Sequence, residues 1–397
     1  MMKPVIFLFA PYYVPGFKGG GPIQTIANLV AGLGSSFKFY IFTSDRDLGD
    51  DEPYEGVLRN QWVDVSGALV YYASPGNLSM YSIYKVLKSI DFDILYLNSL
   101  FSPRFTIFPL MMMRSGLVRS RKILIAPRGE LSEGALALKS KKKHSFLRLA
   151  RIFGLYKGCS WHASTQFERE DISKKIYVDE SRIFIAQNVL GGSSSVSDQL
   201  NGSPQEFIDI KSALKICFLS RISPMKNLDF AITVLRKVSA DVQFDIYGPA
   251  EDAAYWSACL ELIQNLPANV RVKYCGSVEH DAVRATIAQY DLFFVPSRGE
   301  NFGHVFAEAF SAGVPVLVSN RTPWRDLKRR CVGWDIPLER EDLFVSVINE
   351  VANYDVAART EVRELCKTFY KDFFDNENGV NVSVDMFKRI LNDLNNS

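Results

Sequence analysis

"LFFVPSRGENFGHVFAEAFSAGVPVLVS" (292–319) contains a complete structural unit. "LFFVPS" (292–297) is a short apolar run that stops at Pro296-Ser297, too short for a helix and bounded as a buried strand is. A polar loop carrying Gly303 follows, and an apolar helix runs from about 304 until Gly313-Val-Pro ends it. "VPVLVS" (314–319) is a second strand of the same kind. Strands this continuously apolar, joined by a helix, belong to a parallel sheet covered on both faces. The loop holds Glu300 and the helix holds Glu308 about one turn in. Gly303 permits close backbone approach, and the helix start offers free N–H groups. Glu300 is placed to accept from sugar hydroxyls and Glu308 to hold a ribose diol. Read alone, the pair is equally a dipole-favouring carboxylate with a surface glutamate.

The same strand-and-helix alternation runs through the whole chain. In the first half the strands are "VIFLFA" (5–10), "KFYIFTS" (38–44), "LVYYAS" (69–74), "ILYLNS" (94–99), "KILIAP" (122–127) and "RIFIAQN" (182–188). The stretch "GGSSSVSDQLNGSP" (191–204) is polar, Gly/Ser-rich and aperiodic, a linker composition. The pattern then restarts with "KICFLS" (215–220), "VQFDIYG" (242–248) and "RVKYCG" (271–276), separated by helical stretches at 226–240 and 252–266. The expected fold is therefore α/β, with two Rossmann-like doubly wound domains facing a central cleft. The first spans 1–190, the linker 191–212 and the second 213–379, with a terminal helix at about 380–397 returning to the first. Such sheets bind ligands beyond the carboxyl ends of their strands.

Bulk composition narrows the function. At 397 residues the chain is long enough for two cores, and a net charge of +2 gives no overall field for nucleic acid. The six cysteines (159, 217, 259, 275, 331, 366) include no C-x-x-C, which fits buried thiols rather than disulfides or zinc. "FTIFPLMMM" (105–113) is far short of the roughly 20 residues a membrane span requires. "MMKPVIFLFAPYYVPG" lacks a cleavage site and reads as a first buried strand, not a signal peptide.

Three further motifs lie where strands end. "LSRISPMKNLDFAI" (219–232) sets Arg221 and Lys226 around a Ser-Pro turn ahead of a helix. Two cations at a helix N-terminus are unfavourable beside the dipole unless an anion sits there, and a diphosphate would resolve that cost. A solvated loop is the plain alternative. "GFKGGGP" (16–22) follows the first strand and opens a helix, without the spacing of a dinucleotide fingerprint or a P-loop. "PRGEL" (127–131) and "HAST" (162–165) close two later strands.

Taken together, "SRISPMKN", "GENFGHVFAEAFSAGVPVLVSN" and "FKGGGP" resemble the signature of the GT4-type retaining glycosyltransferases with the GT-B fold, and "PRGEL" with "HAST" resembles their bacterial polysaccharide-assembly subset. The eight-residue step from Glu300 to Glu308 matches that family's E-x(7)-E pattern. The resemblance implies that Arg221 and Lys226 bind the donor diphosphate and stabilise the leaving group, and that Glu300 contacts the transferred sugar beside Asn301, Phe302, Gly303 and His304. Glu308 would bind the ribose. Gly19, Gly20 and Gly21 would approach the donor from the other domain, and Gly248 with 276–278 would flank the base. No cofactor is implied beyond the nucleotide-sugar substrate.

The sequence departs from the family at one place. Many relatives carry a His at the end of a first-domain strand, where this chain reads "APRGE", so Arg128 and Gly129 stand there, and Arg128 is itself a candidate on the acceptor or catalytic side. His162 is the candidate substitute, although "CSWHAST" also reads as a strand with a structural His. In a retaining front-side transfer the departing phosphate oxygen can take the acceptor proton, so no general base is required. The triplets Asp45-Arg46-Asp47 and Asp91-Phe92-Asp93 have the D-x-D form of a metal site; Asp91 and Asp93 enter a strand, Asp47 is a candidate on the acceptor side, and no metal is expected.

The segment 136–158 holds seven Lys or Arg and no acid, interleaved with Leu147, Leu149, Ile152, Phe153 and Leu155. That is the composition of a helix that lies on anionic membrane, or of an ordinary helix with a solvated basic face. The reading is a cytoplasmic retaining hexosyltransferase, peripheral at the inner face of the cell membrane, acting on a lipid-linked glycan in cell-surface polysaccharide or lipopolysaccharide biosynthesis. The alternatives are a sugar-nucleotide epimerase of GT-B type and a non-catalytic sugar-binding subunit.

Overall fold

The computed structural model describes residues 3–118, 122–137, 140–189, 213–279, 282–373 and 376–392. The linker candidate at 191–212 lies outside them, as do residues 393–397 of the terminal segment. The chain divides into two compact units. Among the described residues, one contains 3–189 with 376–392 and the other 213–373.

The first unit is built on eight strands, β1 (Val5–Phe9), β2 (Lys38–Ser44), β3 (Trp62–Val65), β4 (Ala68–Ala73), β5 (Ile94–Leu97), β6 (Lys122–Ile125), β7 (Ser160–Ala163) and β8 (Ile183–Ile185). They lie in the order β3-β4-β2-β1-β5-β6-β7-β8. All neighbours are parallel except β3 and β4. The antiparallel edge strand is a departure from the expected all-parallel pattern. Ser66 and Gly67, with φ of 51° and 87°, make the two-residue turn that lets β3 fold back. Trp62 then packs edge-on against Tyr40 and Tyr71, with ring centroids 5.1 and 5.5 Å away.

Alternation along the strands supplies two cores. Phe7, Phe9, Leu95, Leu97 and Trp161 face one side, and Ile6, Leu8, Ile94, Tyr96 and Leu124 the other. The second face is covered by the helix Gly21–Leu33 and by the terminal helix Asn376–Asn392, whose Phe387 sits 5.3 Å from Phe37 and 5.6 Å from Tyr96. The two helices meet at Gly32, where a Cβ would stand 3.1 Å from Val380 Cγ2, closer than ordinary contact.

The second unit has six strands, β9 (Leu214–Leu219), β10 (Val242–Tyr247), β11 (Val270–Gly276), β12 (Leu292–Val295), β13 (Val316–Ser319) and β14 (Gly333–Ile336). All are parallel, in the order β11-β10-β9-β12-β13-β14. β12 and β13 are wholly buried, as their unbroken apolar runs require. Winding reverses between β9 and β12 in this unit and between β1 and β5 in the other. In doubly wound sheets that reversal opens a crevice at the strands' carboxyl ends. The architecture is two Rossmann-like α/β units of GT-B type.

Candidate active site

The loops after β9 and β12 flank the second unit's crevice, and they carry Lys226 and Glu300. The Lys226 ammonium donates directly to Glu300 Oε1, and Ser297 Oγ donates to the same oxygen at 2.8 Å. The two charged side chains are 14% and 9% exposed. A pair this dehydrated interacts far more strongly than a surface pair, and stranding either partner is costly.

Residues that the motif reading passed over hold the two loops together. Asn227 follows Lys226 in the left-handed region, φ 63°. Its Nδ2 donates to the Pro296 carbonyl at 3.0 Å, and its Oδ1 accepts from Arg298 Nε at 2.8 Å. The Arg298 backbone N–H donates to the Met225 carbonyl at 2.8 Å, and Arg298 Nη2 reaches Asp229 at 3.2 Å. Asn227, Ser297 and Arg298 therefore fix Lys226 against Glu300. The signal for them was an Asn immediately before an apolar helix, a residue type that tolerates both a left-handed backbone and a helix N-terminus.

Gly303 caps the helix His304–Ser311 with φ 76°, and a Cβ there would fall 2.5 Å from the Phe306 ring. Trp324 Nε1 donates to the Phe302 carbonyl at 2.6 Å, and the His304 ring stands 4.9 Å from the Phe302 ring. Asn301 and His304 are half-buried beside this turn. Glu308 is half-buried in the helix; its charge helps to raise the Tyr370 phenol, whose shift comes mainly from burial. Arg221 is more open. Its Nη1 lies 3.2 and 3.3 Å from the two Glu251 oxygens. Gly248, at φ 128°, admits no side chain because a Cβ would stand 1.9 Å from the Ser220 carbonyl oxygen. That close approach aligns Ser220 and Arg221 with the end of β10. Arg221, Lys226, Gly248, Glu300, Asn301, Phe302, Gly303, His304 and Glu308 thus share the second unit.

Gly19, Gly20 and Gly21 belong to the first unit, and much of their backbone is already engaged. Asp47 accepts from the N–H groups of Phe17, Lys18 and Gly19 at 2.6, 2.8 and 3.2 Å, and from Leu48 at 2.8 Å. The Gly20 N–H donates to the Phe17 carbonyl at 2.9 Å. Asp47 is 4% exposed, so its carboxylate anchors the glycine loop rather than facing an acceptor, which corrects that expectation. Asp45 is fully buried with Arg46 Nε at 2.9 Å, and Asp93 accepts from the Val5 N–H at 2.9 Å.

His162 is likewise internal. It lies on β7 and is 2% exposed. Nε2 donates to the Ala186 carbonyl at 2.8 Å, so Nδ1 accepts, from the Tyr96 hydroxyl at 2.5 Å. Burial, aided by the Arg128 charge, lowers its pKa to about 3. With both nitrogens engaged in the interior, it offers no free nitrogen to an acceptor, and the catalytic alternative gives way to the structural one. Arg128 lies over this group, donating to Tyr96, Asn98 and Asn188.

The comparisons with known proteins agree with this architecture. The family model described as glycosyl transferases group 1 matches residues 205–353. An uncharacterized 41.2 kDa protein of the cps region of Klebsiella pneumoniae is 22% identical over 307 residues, 77% of this chain and 81% of that protein. The gpi3 subunit of phosphatidylinositol N-acetylglucosaminyltransferase from Schizosaccharomyces pombe is 28% identical over 154 residues, 38% of this chain and only 31% of its own length. Among solved structures, Anabaena HepE in complex with UDP and glucose superposes with a TM-score of 0.70 at 14% identity, over 98% of this chain and all of that one. Together these findings support a glycosyltransferase with the GT-B fold.

Proposed function

We propose that the protein is a retaining, metal-independent hexosyltransferase of GT4 type, taking its sugar from a nucleotide diphosphate and adding it to a lipid-linked glycan during cell-surface polysaccharide biosynthesis. The observation that carries this reading is the largely shielded Lys226–Glu300 pair at the crevice of the second sheet, with Arg221 on the loop beside it. As the bond from the sugar to the diphosphate breaks, negative charge grows on the leaving oxygens. Lys226 and Arg221 are the groups to balance it, and the stabilisation is strongest from Lys226, whose ammonium is largely shielded from water. Diphosphate oxygens compete with Glu300 for Lys226, so donor binding releases the Glu300 carboxylate to a sugar hydroxyl. Glu308 takes the ribose diol. The departing phosphate oxygen takes the acceptor proton, which keeps transfer on one face of the sugar and dispenses with a general base such as His162. The capsule-region relative supports the polysaccharide assignment, and the UDP- and glucose-bound neighbour supports a nucleotide-sugar donor.

The membrane side of the proposal rests on the helix Ser140–Ile152. Lys141, Lys142, Arg148 and Arg151 are exposed, and at its end Leu149, Ile152 and Phe153 are 52%, 67% and 80% exposed. Lys143 turns inward, its ammonium donating to the Ala135 carbonyl at 2.6 Å. Apolar side chains protruding among cations suit the interface of an anionic leaflet. Among the described residues no helix is long and apolar enough to cross a membrane. The test is consumption of a panel of nucleotide sugars by the purified protein. Slow donor hydrolysis supports a transferase; an epimerised nucleotide sugar, or no reaction with any donor, overturns it.

A further inference from the structure

We infer that the Arg128–Asn98 end of the first sheet binds an oxyanion, a phosphate or carboxylate carried by the acceptor. The acceptor role rests on the transferase reading above; the oxyanion site itself rests on the chemistry of these residues.

Arg128 follows β6, and Asn98 follows β5 beside the first sheet's reversal point. A guanidinium keeps its charge at every accessible pH. This one is half-buried, yet all its hydrogen-bond partners among the described residues are neutral: Asn98 Oδ1 at 3.1 and 2.8 Å, the Tyr96 hydroxyl at 2.8 Å and Asn188 Oδ1 at 3.1 Å. Dehydrated charges are normally paired with an opposite one. The nearby acids are turned elsewhere. Glu130 accepts from the N–H groups of Leu100 and Phe101 at 2.6 and 3.1 Å and from Ser99 Oγ at 3.1 Å. Glu168 accepts from the Gly129 N–H and from Ser164 N and Oγ, each at 2.8 Å. Both carboxylates buttress the loops that carry Arg128, and the guanidinium's own hydrogen bonds go to neutral groups.

Two further observations point the same way. Asn98 is 4% exposed, its Oδ1 is fixed by Arg128, and its Nδ2 is a buried donor with no hydrogen-bond partner among the described residues. Buried donors are rarely left so, because each costs about 1–3 kcal/mol. Arg128 also holds φ 54°, in the left-handed region that a long side chain seldom adopts. Strain of this kind persists where the surrounding structure requires it, and it gathers at binding sites. An oxyanion would answer the first two features at once. It would neutralise the guanidinium, and it would accept from Asn98 Nδ2 and from the one Nη1–H of Arg128 that the contacts above leave over.

The test uses full-length protein carrying Arg221→Ala and Lys226→Ala, so that the donor site does not capture the probe. Arginine side-chain NMR signals are followed during titration with methyl phosphate, with glucuronate and with uncharged methyl glucoside. The Nε signal absent from Arg128→Gln identifies Arg128. A saturable shift of that signal with methyl phosphate assigns a phosphate-bearing acceptor, and with glucuronate an acidic sugar; the glucoside should leave it unmoved. Asn98→Ala retains the guanidinium and should weaken binding about tenfold, the loss expected for a hydrogen bond to a charged group. No saturable shift with either oxyanion, or unchanged affinity in Asn98→Ala, overturns the inference. Donor hydrolysis by the unmodified protein is measured separately, so failure of the transferase reading is distinguishable from failure of this site.

Discussion

Replacing Lys226 by Ala separates a chemical role from a structural one. Its ammonium and the Glu300 carboxylate sit at 14% and 9% exposure, so the variant strands a nearly buried negative charge that, among the described residues, retains the Ser297 hydroxyl as its hydrogen-bond donor. Breaking fully buried pairs costs about 3–5 kcal/mol and exposed pairs about 0–1. A loss of about 2–3 kcal/mol is expected for this intermediate case, enough to lower the melting temperature by several degrees. Adding Glu300→Gln removes the stranded charge and should recover about 1–2 kcal/mol of that loss. Turnover should behave differently. Loss of one donor aimed at developing negative charge costs about 100- to 1000-fold, or ~2.7–4 kcal/mol of transition-state stabilisation. The double variant, with its stability partly restored, should stay as slow as the single one or slower. The assay is release of nucleoside diphosphate per folded molecule, beside a thermal melt of each variant. Turnover of Lys226→Ala within about threefold of the parent, or a double variant that regains turnover together with stability, would refute the reasoning.

Other predictions concern neighbouring groups. Glu251→Gln frees Arg221 from a surface pair and should leave stability within about 0.5 kcal/mol, while donor KM falls up to about fivefold; an unchanged or higher KM would detach Arg221 from the diphosphate. Because the leaving group is balanced by side chains, activity should survive EDTA; full loss restored by magnesium or manganese would bring the D-x-D carboxylates back. Changing Lys141, Lys142 and Arg148 to Glu should release the protein from anionic vesicles, each cation contributing about 1 kcal/mol at such a surface; unaltered sedimentation would leave the helix merely solvated. His162, with a pKa lowered from 6.5 to about 3, is neutral when folded and takes a proton more readily when unfolded. Its contribution is full above pH 6.5 and is lost as pH falls towards 3, at up to ~1.4 kcal/mol per pH unit. His162→Gln should flatten that part of the stability profile, and an unchanged acid slope would contradict the burial argument.

Residues 292–319 were legible because two buried strands and their connecting helix each carry a strong local pattern. The antiparallel β3 was not: it is four residues long, and the exposed Asp64 interrupts the half-buried Trp62, Val63 and Val65. β14 escaped because "GWDI" is four residues long and opens with glycine. Charged site residues could be picked out by type and position at strand ends. What they face could not, since it depends on contacts between distant parts of the chain. Asp47 reads from the sequence as a candidate on the acceptor side, but three N–H groups of a loop some 30 residues earlier converge on it. His162 was open to two readings until the Tyr96 hydroxyl, 66 residues away, occupied its ring nitrogen.

The central claim is that the Lys226–Glu300 crevice holds a nucleotide-sugar diphosphate and releases the sugar with its configuration retained. The most direct measurement is NMR of the first-formed sugar when purified protein hydrolyses or transfers from its preferred nucleotide sugar. The account predicts that the product initially has the anomeric configuration of the donor, alongside equimolar nucleoside diphosphate. Release of the opposite anomer, or recovery of an epimerised sugar still attached to the nucleotide, would contradict it.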